Sequence, residues 1–236
     1  MSASVFVAVP HYGHLVTGSI ESIVQASLKH RIHLQTAGGS LLAFVFNSLW
    51  CHALNKKPRP DFFAMHHSDI QAEAGWLDKL IDIMESHQAD IVSVVVPIKD
   101  ARGLTSTGYM DAKEDITRLT LKEIHQLPET FSQVPMLHGD YKPATIMVNT
   151  GLILVDFRKP WVEEFHFNIA DGIKKNEYGR FFPCVLPEDW GMSAWAAKRN
   201  LKVFATRKVK AKHWGSACFS NHKPDGEWDH DEGDMF

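Results

Sequence analysis

The sequence predicts an α/β fold, a mixed sheet flanked by helices in one domain, and three observations carry that expectation. Between Val5 and Val96, short runs rich in β-branched residues alternate with stretches of helical periodicity. The runs are almost continuously apolar, as buried strands are. The chain of 236 residues, 44% hydrophobic and 22% charged, has ample material for a core and a composition far from that of a disordered protein.

Val5-Phe6-Val7-Ala8-Val9 reads as a buried strand stopped by Pro10, with a loop at His11-Tyr12-Gly13. Ile20, Ile23, Val24 and Leu28 then fall on one helical face, with Thr17 or Ser19 as the N-cap. Arg31 to Thr36 reads as the second strand. After Gly38-Gly39, Ser40 can cap a helix whose Leu41, Leu42, Val45, Phe46, Leu49 and Trp50 recur at three- and four-residue intervals. Asn55 to Pro60 breaks that helix, and Phe62-Phe63-Ala64-Met65 forms a third strand that ends in His66-His67-Ser68-Asp69. Trp76, Leu77, Leu80, Ile81 and Met84 make the next helix amphipathic, and Ile91 to Val96 is the strongest strand signal in the chain. Four strands alternating with three helices imply parallel pairing in this half, which is Rossmann-like in outline.

Beyond Pro97 the alternation weakens. Lys99 to Asp115 is polar and reads as a mobile loop, and Ile116 to Ile124 reads as a strand or an edge hairpin. Thr145 to Val148 and Leu152 to Val155 read as two strands about a tight turn at Asn149-Thr150-Gly151, or as one bent strand. A helix from Glu188 to Arg199 follows, with Asn200 in the left-handed position after it, and Val203 to Thr206 is the expected final strand. The acidic stretch from Asn221 has little to bury and is expected to be poorly ordered. The expected division is one domain over residues 1–220 and a flexible tail over 221–236.

The formal net charge is −3 and the sequence pI is near 6.5. No apolar run reaches the roughly 20 residues of a membrane span, and Met1 to Val5 lacks the layout of a signal peptide. A soluble cytoplasmic protein without a membrane partner is expected. Cys51, Cys184 and Cys218 are odd in number and far apart, which fits reduced thiols.

Three clusters carry potential chemistry. Asp69, two residues after His67 at a strand's carboxyl end, can offer a hard oxygen to a divalent cation; equally, Asp69 can cap a turn and His67 satisfy a carbonyl. The Pro10-His11-Tyr12 loop can hold a nucleobase or merely end a strand. Glu188 and Asp189 open a helix, where acids are favoured by the macrodipole alone, yet such a pair can also supply a general base beside Trp190 as a wall against a sugar. The third cluster runs from Lys198 to Lys212 with seven basic residues and no acid, and is followed by His213. A patch of this kind can bind phosphates, and a solvated face explains it as readily.

In this order the segments resemble the GT-A glycosyltransferase fold, in the broad group of family 2-like enzymes. Val5 to Gly13 resembles that fold's first strand and nucleotide-binding proline loop. Phe62 to Leu77 resembles its strand, D-x-D motif and following G-W-L helix, Thr150-Gly151 the turn before the acceptor-side strand, and Glu188-Asp189 its E-D motif. His213 matches a late metal-binding histidine, and the resemblance covers most of the chain up to about Gly215.

The resemblance implies a mixed Rossmann-like sheet and metal-dependent transfer of a sugar, hexosyl or pentosyl, from a nucleotide-sugar donor to a hydroxyl acceptor. It implies that Asp69 and His213, with His67, hold Mn²⁺ or Mg²⁺ against the donor's diphosphate, the cation and nearby lysines neutralising the leaving group. Pro10, His11, Tyr12, Asn47 and Ser68 would contact the donor, and Gly151 and Trp190 the sugar or acceptor. Asp189 would be the base that activates the acceptor hydroxyl, with inversion at the anomeric carbon, and Glu188 would hold the acceptor or the helix start. Two positions depart from the pattern: His67 stands where the first aspartate of D-x-D is usual, and Phe46-Asn47 lacks an arginine that some relatives carry. The basic stretch would suit a hydroxylated base in DNA as acceptor. The rival class is a non-catalytic nucleotide- or carbohydrate-binding protein on the same fold, which would bind donor and release no nucleoside diphosphate. A metal-dependent hydrolase around His66, His67 and Asp69 is a third class, disfavoured for want of a second dense ligand cluster.

Overall fold

Along the first strand Val5, Val7 and Val9 join one hydrophobic cluster, while Phe6 and Ala8 join another, so the sheet is covered on both faces. The computed structural model describes residues 2–111, 116–134 and 145–222. In chain order the elements are β1 (Ser4–His11), α1 (Thr17–Ser27), β2 (Arg31–Gly38), α2 (Leu42–Leu54), β3 (Phe62–His66), β4 (Ile70–Ala72), α3 (Trp76–His87) and β5 (Ile91–Val94). They continue as β6 (Leu104–Met110), β7 (Ile116–Thr120), α4 (Leu121–Ile124), β8 (Thr130–Phe131), β9 (Thr145–Met147) and β10 (Leu152–Asp156). After a 3₁₀ turn at Pro160–Glu163 come β11 (Ala170–Lys175), β12 (Phe181–Leu186), α5 (Glu188–Lys198), β13 (Val203–Thr206), β14 (Ala211–Trp214) and β15 (Cys218–Ser220).

The main sheet has seven strands in the order β2-β1-β3-β10-β5-β13-β8. β1 is parallel to β2 and β3, and β5 to β13, but β10 runs antiparallel between β3 and β5. The sheet is therefore mixed, and the parallel series expected for the first half is interrupted by a strand from the second. One face packs under α2 and α5 around Trp50, whose indole N–H donates to the Val162 carbonyl at 2.9 Å and whose ring meets Phe63 and Phe157 edge-on. The other face packs under α1 and α3 around Trp76, whose N–H donates to the Ser22 carbonyl.

Several local expectations are corrected. Pro10 does not stop β1; it lies beyond the last β1–β3 pair, Ala8 with Met65, where its missing N–H breaks no bond to β3, and its carbonyl accepts from the Ser68 N–H. The N-caps of α1 and α2 are Val16 and Leu41 rather than Thr17, Ser19 or Ser40, with no side-chain bond at either. α1 turns Ile20, Val24 and Leu28 outward, exposed by 48, 54 and 83%, and buries Ser19, Ser22, Ile23 and Ala26. The small Ser22 face wins because its hydroxyl bonds the carbonyls of Gly18 and Ala72 and receives the Ala72 N–H, bringing α1 close to β4. α3 buries Ile83 rather than Ile81.

The segment expected as a loop after Lys99 contains β6, whose polar Thr105 is buried because its hydroxyl donates to the Leu119 carbonyl across the pair with β7. Ile116 to Ile124 divides into β7 and the one-turn α4, closed by a capping box between Thr120 and Glu123. β9 and β10 do not form a hairpin: β9 pairs with β6 and β10 enters the main sheet. The exposed β11–β12 hairpin carried no expectation, and β13 is followed by two further strands. Asn221 does not begin a loose tail. It is buried, donates to the carbonyls of Val95 and Val209, and accepts from Ala211. Residues 223–236, the rest of the expected tail, lie outside the described residues.

Candidate active site

β1, β3 and β5 deliver Pro10 to Tyr12, His67 to Asp69 and Pro97 to Lys99 at one edge of the sheet. A small sheet, β15-β14-β4, folds over this edge. Its register sets His213 opposite Ile70, and the Trp214 N–H donates to the Asp69 carbonyl at 2.8 Å. His213 thereby comes beside Asp69, with Nε2 at 3.6 Å from Oδ2. The other ring nitrogen, Nδ1, is 2.7 Å from the Pro97 carbonyl, which can only accept; Nδ1 therefore carries a proton, and Nε2 is the nitrogen left to face the carboxylate.

Asp69 Oδ2 also takes a salt bridge from the Lys99 ammonium, while Oδ1 is buried without a hydrogen-bond partner. Burial opposes the charge of Asp69, but His213 and Lys99 more than offset it and hold the carboxyl well below the usual range. An imidazole nitrogen and a carboxylate facing each other, with one carboxylate oxygen unengaged, are a donor set that a divalent cation accepts. Among the described residues no group of three or more His, Cys, Asp or Glu side chains converges in this way. Asp69, Ser68 and Tyr12 line a cavity of about 270 Å³, together with His14, Lys99 and Trp214.

The neighbouring histidines face elsewhere. His67 sets its ring edge against Phe46, places Nε2 3.4 Å from the Thr150 hydroxyl, and is lowered to about 4 by burial. His66 is fully buried against Trp76 with Nε2 unpartnered, and burial lowers it likewise to about 4. Both rings are therefore neutral near pH 7. His11 Nδ1 accepts the Gly13 N–H, an arrangement that shapes the loop around the left-handed Gly13. Asn47 is fully engaged with Phe167, giving to its carbonyl and taking from its N–H at 2.7 Å each. Gly151 receives the His67 N–H on its carbonyl and donates its own N–H to Asn149 Oδ1.

The second cluster opens α5. Asp189 is largely buried, and burial followed by the charge of Glu188 pushes its carboxyl up to about 7, against the opposing effect of the Trp190 N–H at 2.7 Å and of Arg118. Burial raises Glu188 as well. Arg118 lies flat on Trp190, 4.5 Å from the ring centre, and the indole N–H donates to the Ser106 carbonyl. The Ser106 N–H in turn bonds the Val96 carbonyl, one residue before the Pro97 that orients His213. Backbone bonds thus tie the two clusters to the same strand end.

Sequence reasoning missed Lys99 and Arg118. Lys99 follows the strongest strand of the chain, as Asp69 follows β3, and that position was the available signal; Arg118 had none, since its role depends on the β6–β7 pairing.

No known family profile matches the sequence, and no curated protein matches it. The fold, however, has a solved counterpart. A197 from STIV aligns over 95% of this chain and 92% of its own, with a TM-score of 0.56 at 14% identity, so the two share a fold. S. aureus TarS, solved in complex with UDP-GlcNAc, aligns over 87% of this chain and 56% of that one, with a TM-score of 0.45 at 11% identity. A glycosyltransferase involved in the glycosylation of the major capsid of PBCV-1 aligns over 68% and 63%, with a TM-score of 0.33 at 16% identity. At these scores the last two likenesses are weak. No helix among the described residues is long and apolar enough to cross a membrane.

Proposed function

We propose that the protein is a metal-dependent glycosyltransferase that moves a sugar from a nucleotide-sugar donor to a hydroxyl acceptor with inversion. The observation that carries this reading is Asp69, on the wall of the cavity that Tyr12 and Ser68 line, with His213 Nε2 3.6 Å from its Oδ2. Asp69 and His213 would hold Mn²⁺ or Mg²⁺, which when bound supplies Lewis-acid charge against the donor's diphosphate. His67, turned to Phe46 and Thr150, supports the strand end beside this pair.

Asp189, raised to about 7, is suited to take the proton from the acceptor hydroxyl as it attacks the anomeric carbon. Trp190, fixed by its bond to Ser106 and by the overlying Arg118, offers an apolar wall to the sugar. Glu188, buried beside Asp189, keeps that carboxyl high. A hydroxylated base in DNA is the macromolecular acceptor that the run from Lys198 to Lys212 suits. Within that run, Arg199 stacks on Trp195 and Arg207 holds the Leu127 carbonyl, so the exposed Lys198, Lys202, Lys208 and Lys210 are left as the phosphate-facing candidates. Acceptor turnover that falls steeply with added salt is the expected result, and a flat salt profile removes DNA from the reading.

The decisive test is a thermal-shift screen of nucleoside diphosphates and nucleotide sugars with and without Mn²⁺. One nucleotide should stabilise the protein only with the metal, and Asp69→Ala should abolish the shift. Stabilisation by none refutes the proposal. Stabilisation without any release of nucleoside diphosphate favours a binding protein.

A further inference from the structure

The Lys99 ammonium is paired with the carboxylate oxygen that also faces His213. It lines the same cavity as Tyr12 and Trp214. Its backbone is held on both sides: the Ile98 N–H donates to the Leu104 carbonyl at 2.9 Å, and the Asp100 N–H to the Ile98 carbonyl, with Arg102 clamped on Asp100. Its stem reaches Asp69 across Gly215. A β-carbon at 215 would stand 2.9 Å from Lys99 Cδ and 3.4 Å from its Cβ and Cγ, so a side chain there would push the stem aside.

A divalent cation held between Asp69 Oδ2 and His213 Nε2 would lie against the ammonium that the same oxygen already holds, and repulsion between the two positive charges favours the ammonium's displacement. The displaced ammonium remains tethered in the cavity, and the nearest new anion there would be the donor's diphosphate. We infer that Lys99 is an internal counter-ion that exchanges partners, occupying Asp69 before the cation binds and the diphosphate afterwards. The inference rests on the proposed donor and metal reading. It adds that the metal and Lys99 compete for Asp69, while both favour the donor.

The test is binding rather than turnover. Mn²⁺ alone is titrated by its paramagnetic effect on water relaxation, and the nucleoside diphosphate that the screen selects is titrated by calorimetry in Mn²⁺. Lys99→Met keeps the stem and removes the charge. Because an ion pair with both partners partly exposed is worth little, Mn²⁺ should bind only about two- to fivefold tighter. The loss of a charge-assisted bond to phosphate should weaken the diphosphate by about tenfold or more. Gly215→Ala, which displaces the stem and leaves Asp69, His213 and Lys99 in place, should move both constants in the same directions. Opposite signs are the signature of exchange, since a merely structural strut would weaken both ligands or neither. Weaker or unchanged Mn²⁺ binding in Lys99→Met overturns the inference while the site reading stands. A wild-type protein that binds neither Mn²⁺ nor any nucleoside diphosphate overturns both.

Discussion

Asn in place of Asp189 separates the role of that residue in stability from its role in chemistry. A carboxyl raised from 3.8 to about 7 binds its proton more tightly in the folded chain than in the unfolded one. Its favourable contribution is therefore fully present below pH 4 and is lost as the pH rises through 7. At about 1.4 kcal/mol per pH unit, the loss at pH 8 is at most about 4 kcal/mol. Asp189 keeps some solvent contact, and screening reduces this to about 2 kcal/mol. Asp189→Asn carries no charge to desolvate, while its carbonyl oxygen can still accept the Trp190 N–H. The variant should thus be more stable than the wild type at pH 8, by about 4 to 8 °C in Tm for a chain of this size, and equal to it near pH 4.

Activity should move the other way. The wild-type rate should climb with pH to a plateau above 7, because the base must be ionised, and the variant should lose about 10²- to 10⁴-fold on that plateau. Thermal denaturation of both proteins across pH 4 to 8 measures the first effect, and the rate of nucleoside diphosphate release measures the second. A stability difference that does not change with pH would refute the assignment of a raised carboxyl, whatever happened to turnover.

Asn47→Ala leaves the Phe167 N–H and carbonyl unpaired at a partly buried site and should cost about 2 kcal/mol in urea denaturation, with any change in nucleotide affinity secondary to that loss. Asn221→Ala removes three bonds that lace the chain after β15 to Val95, Val209 and Ala211, and should cost about 2 to 3 kcal/mol by the same measurement. Ile20→Ser and Val24→Ser, at exposed positions on α1, should each stay within about 0.5 kcal/mol of wild type, whereas Ile23→Ala one position away should cost about 2 kcal/mol or more.

The strands that were legible in the sequence are those whose burial leaves a continuous apolar run, such as Val5 to Val9, Phe62 to Met65 and Ile91 to Val96. β6 was not legible, because Thr105 is buried by virtue of a bond to Leu119, and a hydroxyl satisfied across a pair looks polar in one dimension. The order of the sheet was hidden for a related reason: nothing local to Leu152–Asp156 says that it runs antiparallel between β3 and β5. On α1 the apolar stripe misled, since Ser22 gains more from three bonds to Gly18 and Ala72 than Ile20 or Val24 would from burial. Asp69 stood out because it closes an apolar run, and Glu188 and Asp189 because two adjacent acids stand together before Trp190. Lys99 did not, because lysine in a polar loop is the commonest of surface residues.

The two aspartates owe their different states to what surrounds each of them. Asp69 is partly buried, yet it faces Lys99 and His213, and the bonds they offer reward its charge more than burial penalises it. Asp189 is penalised by burial in the same way, but its near neighbour is another acid, Glu188, and the nearest cation, Arg118, is stacked on Trp190 rather than bonded to the carboxylate. Two carboxyls at one edge of the sheet are thereby driven in opposite directions, one to a permanent anion and the other to a group poised near neutrality. Permanent negative charge is what holding a cation requires, and an ionisation near pH 7 is what taking and returning a proton requires. Arg118 is kept from the Asp189 carboxylate by its place on the indole and by its bond to the Thr105 carbonyl at 3.2 Å; Trp190→Ala removes the first hold, and the expected result is a rate–pH profile that rises at lower pH with a lower plateau.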